Sequence, residues 1–431
     1  MKLNYKRTVL IGLAFMSILA FWQFYDQVVG FLLENIFGLE TVAANAILAV
    51  DNVLAIFMLP LFGAISDKTN TKLGKRTPYI LFGTIAAVIL MVLMGISTQY
   101  RIVPMFYTTL FMLLVVMSVY RTPAVAYMPD VTEKPLRSKA NAIINLVGYI
   151  GGIFSTVVMM FLLKSEKNEL GESVYVSGQS FLPVFIVVAV FMLVAVLIQV
   201  FSLNENKILK EVNIVEEATV ECKEKMSKPV LKSLIFILLS VFLWYMAYNA
   251  VTTAFSRYCM EVLNADLSVS SGYLLTATVS AIVAFVPLGF ISGKLGRKKT
   301  ILLGITLMTV CYAIAIFLKQ QTPVMYAIFG IVGIGWAAIN VNSFPMVVEM
   351  STGADVGKYT GYYYTFSMAA QIATPLLSAL LIDHTPLGYN VLFPYAVLFS
   401  VLSFVTMLFV KHGDSKLTAK KSLIENFDVE A

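Results

Sequence analysis

The sequence predicts an all-α polytopic membrane protein whose twelve transmembrane helices form two pseudo-symmetric six-helix bundles. Three observations carry this prediction. Of the 431 residues, 59% are hydrophobic and only 13% charged, where soluble domains carry roughly one-quarter charged residues, and the mean hydropathy is +0.82. Apolar runs long enough to cross a hydrocarbon core, about 20 residues each, recur along nearly the whole chain. A single long polar stretch, residues 204 to 229, leaves six such runs on either side. Helices are the expected form, because in lipid each segment must satisfy its own backbone hydrogen bonds.

The runs lie at residues 8–33, 41–66, 79–97, 104–128, 140–163, 181–203, 232–262, 271–292, 300–318, 323–348, 360–383 and 390–410. The expected organisation is a first bundle over 1–203, a cytoplasmic linker over 204–231, a second bundle over 232–411 and a cytoplasmic tail over 412–431. The first run follows Lys2, Lys6 and Arg7. It is too long for a signal peptide and lacks a small-x-small cleavage site, so it is expected to span. It carries Trp22 and Asp26, four residues apart and hence on one helix face. The second run holds Asp51 and the fourth holds Arg121, both near the middle of the bilayer. Asn141, Asn145, Gly148 and Gly152 recur at helical spacing in the fifth, where the glycines permit close helix approach. The linker, NENKILKEVNIVEEATVECKEKMSKP, reads as a solvated or partly helical connector.

In the second half the stripes are neutral. Tyr245, Asn249, Thr252 and Ser256 share a face of the seventh helix, and Ser367, Gln371, Thr374 and Ser378 share a face of the eleventh. The tenth adds Trp336, Asn340 and Asn342. Interhelical hydrogen bonding accounts for any one of these taken singly; together they point to a polar cavity. Cys222, Cys259 and Cys311 lie in separate segments, and His384 and His412 stand far from any ligand cluster. No disulfide framework, metal site or cofactor is expected. An enzyme or sensor is excluded for want of clustered His, Cys or acid pairs and of a soluble output domain.

With the N-terminus placed in the cytoplasm and the loops alternated, only Arg101, Lys164, Lys167 and Lys319 of the 31 Lys and Arg fall outside. Arg121 and Arg257 are expected inside helices, and all the rest are cytoplasmic, which places both termini on that side of the plasma membrane. The net charge of +6 thus reflects topology and gives no support to nucleic-acid binding.

The two halves repeat. GAISDKTNTKLGKRTPY (63–79) follows the second helix and GFISGKLGRKKT (289–300) the eighth, offset by 226 from Gly63 to Gly289. TPAVAYMPD and SFPMVVEMS match in helices four and ten, offset by 222 from Pro123 to Pro345. At these loops the chain resembles the major facilitator superfamily, whose loop 2–3 motif is G-x-x-x-D-x-x-G-R-x-x. The second copy has Gly293 in place of the acid. The first, with its longer D-x6-G-[KR]-x-x-P spacing from Asp67 to Pro78, is similar to the glycoside-pentoside-hexuronide:cation symporters, especially their sucrose-transporter-like branch. MPDVTEKPLRSKANAIINLVGYIGG after helix four resembles the same branch.

That resemblance implies a monomeric secondary transporter in the lipid bilayer that carries a disaccharide or glycoside, such as sucrose or maltose, together with a proton or sodium. Under it, Trp22, Asp26, Arg121, Asn145, Tyr245, Asn249, Trp336, Asn342 and Gln371 are candidate substrate contacts. Carboxylates and a guanidinium fork suit a polyol, whose hydroxyls both donate and accept. Asp26 and Asp51 are the coupling candidates. A static Arg121–Asp51 ion pair that only ties helices together is the plainer alternative. In melibiose-type relatives helix two bears two sodium-binding aspartates, and here those positions hold Ala55 and Leu59; their helix-four acid aligns with Arg121. Both departures favour a proton. Gly63, Asp67, Lys75, Arg76, Asp130, Gly289, Arg297, Lys298 and Glu349 would form the latch between the halves. A drug/proton antiporter on the same fold is the second reading, although NLVGYIGGIFS has the glycines of such a fifth helix without its proline.

Overall fold

The computed structural model describes residues 3–39, 41–167, 173–176, 178–217, 227–265, 267–351 and 355–414. Twelve helices are long and apolar enough to cross a membrane: α1 (Tyr5–Ile36), α2 (Ala46–Lys68), α3 (Thr77–Gln99), α4 (Val103–Asp130), α5 (Lys134–Leu162), α6 (Leu182–Ser202), α7 (Lys228–Glu261), α8 (Val269–Leu295), α9 (Arg297–Ala315), α10 (Val324–Glu349), α11 (Val356–Ile382) and α12 (Gly388–Leu408). Large apolar side chains such as Phe57, Phe161, Phe201 and Phe317 stay exposed on the perimeter, where lipid is the solvent.

Packing repeats with a shift of six helices. In the first half α1 packs on α5 and α6, α3 on α4 and α6, and α2 on α4. In the second, α7 packs on α11 and α12, α9 on α10 and α12, and α8 on α10. The halves meet along two seams that this symmetry exchanges, α2 against α11 and α5 against α8. Small residues allow the approach: Ala55 joins Leu59 and Met368 in one seam, and Ala142 meets Phe285 and Leu288 in the other. The loops after α2 and α8 each contain a glycine of positive φ, Gly74 at 115° and Gly296 at 92°, a region L side chains rarely adopt.

Several expectations need adjustment. α1 begins earlier and ends later than 8–33 because its far part widens into two π-helical turns, Tyr25–Val29 and Leu32–Ile36. The second run is interrupted: a short helix, Thr41–Leu48, precedes Val50–Lys68, so Asp51 sits in the first turn of the long segment. Arg257 lies within α7 as expected, exposed and four residues from its end. The loop between α5 and α6 contains a small antiparallel hairpin, Ser165–Lys167 with Ser173–Tyr175. A connector helix, Glu205–Glu217, follows α6. Its first residue is 1% exposed, which overturns the solvated reading for Glu205. Cys222, residues 218–226 of the linker and 415–431 of the tail lie outside the described residues.

Candidate functional site

At mid-depth between the halves lies a cavity of about 130 Å³. Its wall takes Arg121 from α4, Asn141 and Asn145 from α5, Tyr245 from α7, Asn340 from α10, and Tyr363 and Tyr364 from α11. Asn141 Nδ2 donates to the carbonyls of Asn340 (2.9 Å) and Val341 (3.0 Å), crossing between the halves. Asn145 Nδ2 donates to the Asn141 carbonyl at 2.8 Å. Tyr363 pairs with Ser343 at 3.0 Å between hydroxyl oxygens and with the Tyr245 side chain.

Among the described residues, Arg121 is the only formal charge in that wall. Its guanidinium carbon lies 5.4 Å from the Trp22 ring centroid and 4.9 Å from that of Tyr364, so an aromatic face from each half flanks the cation. Among the described residues it makes no hydrogen bond and no ion pair within 4.0 Å, so the static Arg121–Asp51 pair is not formed. Asp26 and Asp51 are within electrostatic reach of Arg121, and Asp51 of Asp26. Asp26 lies in the π-helical turn and is exposed; Asp51 is half-buried and accepts from Asn52 Nδ2 at 3.0 Å. A guanidinium with its fork unused can bind a ligand's oxygens bidentately.

One face of the bundle gathers the connector helix and the two glycine loops, and there the halves are tied together. Arg76, wholly buried, donates to Asp67 at 2.5 Å and to Asp130 at 2.7 Å; Lys75 pairs with Asp130 at 3.0 Å. Asp67 also accepts from the backbone N–H groups of Gly357 (2.8 Å) and Lys358 (2.9 Å), capping α11 from the opposite half. Arg297 pairs with Glu349 inside the second half (2.9 Å) and crosses the other seam to the Ser138 hydroxyl (3.0 Å) and the Lys134 carbonyl (2.5 Å). Arg137 reaches Glu349 at 3.4 Å. Gly63 lies directly on Gly357, and a Cβ at Gly289 would sit 3.0 Å from the Ala142 Cβ. Lys298 corrects the expected latch: it donates to the carbonyls of Leu408 (2.8 Å) and Val410 (2.6 Å) inside its own half. Arg76, Lys75 and Asp130 likewise stay within the first half and hold Asp67 in place for the crossing contact. From this face the links rise to Thr365, whose hydroxyl donates to the Ile56 carbonyl at 3.1 Å, and to Tyr149 against Phe285.

Glu205 completes the network. Its carboxylate accepts from the N–H groups of Lys75 (3.0 Å), Arg76 (2.9 Å) and Thr77 (2.9 Å) and from the Thr77 hydroxyl (2.7 Å), capping α3. Asp414 does the same past α12, accepting from the Arg297 N–H at 2.6 Å where α9 begins. Losing a buried acceptor with several donors costs about 1–3 kcal/mol, so Glu205→Ala is expected to lower the thermal midpoint of the detergent-purified protein by several degrees. An unchanged midpoint would show that the cap carries no stability.

The family model for "MFS/sugar transport protein" matches residues 9–359. The chain belongs to this family. Among curated relatives of this MFS protein, the isoprimeverose transporter of Lactiplantibacillus pentosus is 24% identical over 288 residues, 65% of this chain but 57% of that protein. The uncharacterized symporter YnaJ of Bacillus subtilis is 36% identical over 63 residues, 15% of this chain and 14% of its own length. The chain thus matches less than two thirds of either relative. Solved structures share the MFS fold: FucP in the outward conformation at TM-score 0.69 and 12% identity, covering 94% of this chain and 99% of that one, and the proton:xylose symporter XylE at 0.65 and 16%, covering 95% of each. These relatives are transporters, not enzymes.

The MFS frame places the sequence candidates unevenly. Arg121, Asn145 and Tyr245 line the cavity, and Trp22 lies over Arg121. Trp22 Nε1 and Asn249 Nδ2 are buried without a partner among the described residues. Gln371 stands seven residues past Tyr364, on the same face of α11. Trp336 is instead stacked on Tyr248 (3.8 Å, 2°) and meets Tyr245 edge-on at 5.1 Å. Asn342 is buried and donates to Ala338 of its own helix at 2.8 Å, off the cavity wall. Nothing in the sequence marks Glu205 or Asp414; for Tyr363 and Tyr364 the one local signal is the run of three adjacent tyrosines in YYYTFS.

Proposed function

We propose that the chain is a secondary active transporter that imports a glycoside or disaccharide such as sucrose or maltose with a proton, by alternating access in the plasma membrane. The observation that carries the reading is an unpaired Arg121, flanked by aromatic rings from both halves, in a cavity that two carboxylates reach electrostatically. Sugar hydroxyls would take the guanidinium fork, the asparagine amides and the tyrosine hydroxyls, while Trp22 would cover an apolar ring face. Asp26 and Asp51 are the proposed proton sites: both lie within electrostatic reach of Arg121, and a bound sugar that engages Arg121 changes the field they feel. The symporter name of one relative and the sugar names of others support this assignment by analogy.

The latch face would be cytoplasmic, consistent with its excess of Lys and Arg, so the geometry described corresponds to a transporter closed toward the cytoplasm. The proposed functional unit is a monomer. Drug/proton antiport fits the cavity less well, since a lipophilic cation would meet the like charge of Arg121. Right-side-out vesicles under an inward proton gradient are expected to accumulate labelled sucrose or maltose. Accumulation with sodium alone would replace the proton, and ethidium extrusion without sugar uptake would replace the importer.

A further inference from the structure

A second cavity, about 220 Å³, opens on the α5–α8 seam and is walled by Tyr5, Lys139, Ala142, Ile143, Val286 and Phe290. It shares no wall residue with the central cavity. Apart from Lys139 the wall is apolar or aromatic, and the Lys139 ammonium lies 4.6 Å from the Phe290 ring centroid. Val286, Phe290 and Lys294 form one stripe of α8 at four-residue spacing, and Lys294 is exposed. Tyr5 opens α1 and is followed by Lys6 and Arg7. Lys6, Lys139 and Lys294 form no ion pair among the described residues.

The slot continues into the lipid-facing perimeter. Ile150, Ile153 and Val157 on α5 and Val279 and Val283 on α8 are exposed apolar side chains leading away from it toward mid-membrane. The slot therefore has unpaired cations at its mouth, beside the latch face, and hydrocarbon-facing walls beyond. That order matches a phospholipid, charged at one end and apolar along its length.

We propose that this seam binds one anionic phospholipid, with an acyl chain in the slot and its phosphate between Lys139 and Lys294. The site takes one wall from each half, and its floor exists only while Gly289 packs on Ala142. Occupancy therefore favours the state closed at the latch face, since a ligand shifts an equilibrium toward the conformation that holds its site.

The test uses full-length protein, delipidated in detergent and titrated with phosphatidylglycerol or phosphatidylcholine of identical chains, with bound lipid counted by native mass spectrometry. One phosphatidylglycerol is expected to be retained with a preference of roughly 30-fold, the value for two lysines at a membrane surface. The K139Q/K294Q double variant is expected to bring that preference to about one. Ile143→Trp, which fills the slot, is expected to lower retention of both lipids. Equal retention of the two lipids by the unmodified protein, or an undiminished preference in K139Q/K294Q, overturns the proposal. Displacement of the lipid by glycerol 3-phosphate also overturns it, because it would reveal a site for soluble phosphates. If Ile143→Trp fails to fold, the lysine variant alone decides.

Discussion

Replacing Arg121 with alanine is expected to reduce sugar uptake in vesicles to below about one-hundredth of the unmodified rate while leaving membrane insertion intact. Charged hydrogen bonds contribute about 1.5–3 kcal/mol each, and two lost from a bidentate contact exceed a factor of one hundred in binding. Insertion should survive, because Arg121 ties no helix to another through an ion pair or hydrogen bond among the described residues. Arg121→Lys separates two roles: it keeps the charge near Asp26 and Asp51 but loses the fork, so it should restore proton coupling better than sugar affinity. Asp51→Asn is expected to abolish accumulation against a gradient yet retain exchange of labelled for unlabelled sugar. Normal accumulation in Asp51→Asn or Arg121→Ala would reduce these residues to scaffolding.

Gly63→Val is expected to be nearly as damaging for an unrelated reason. The added Cβ would sit well inside van der Waals distance of the Gly357 carbonyl oxygen across the α2–α11 seam, which opposes closure of the halves at the latch face. Overpacking costs about 1–3 kcal/mol, which moves a two-state equilibrium roughly 5- to 150-fold. A cysteine introduced at Asn145, which lines the cavity, should then label faster from the latch side, and net uptake should fall. Unchanged labelling would mean that the seam relaxes around the valine and that close glycine contact is dispensable.

The parts of this molecule legible from sequence are those whose physics is local. Span lengths follow from apolar runs, and the distribution of Lys and Arg gives the expected orientation. Arg121 and Asp51 stand out because a charge in an apolar run has no neighbouring explanation. The obscure parts depend on distant partners. Glu205 looks like any acid of a polar connector until α3 is seen to end its loop against it. Tyr364 is one of 21 tyrosines, and only the position of α11 brings it to Arg121. Trp336 carries the residue type expected of a sugar platform, but Tyr248 occupies its face. Lys298 reads as one more base of a basic stretch, yet from the first turn of α9 it caps the end of α12.

Glu205 and Asp414 also bear on ancestry. Each acid follows the last helix of its half and clasps the start of that half's third helix. Neither clasp borrows an atom from the other bundle. A gene encoding one such half would already encode its own fastening, so doubling it yields two finished modules in a single event. Duplication of such a module would leave selection free to work on the facing surfaces alone, where Asp67 stands in one copy and Gly293 at the matching place in the other.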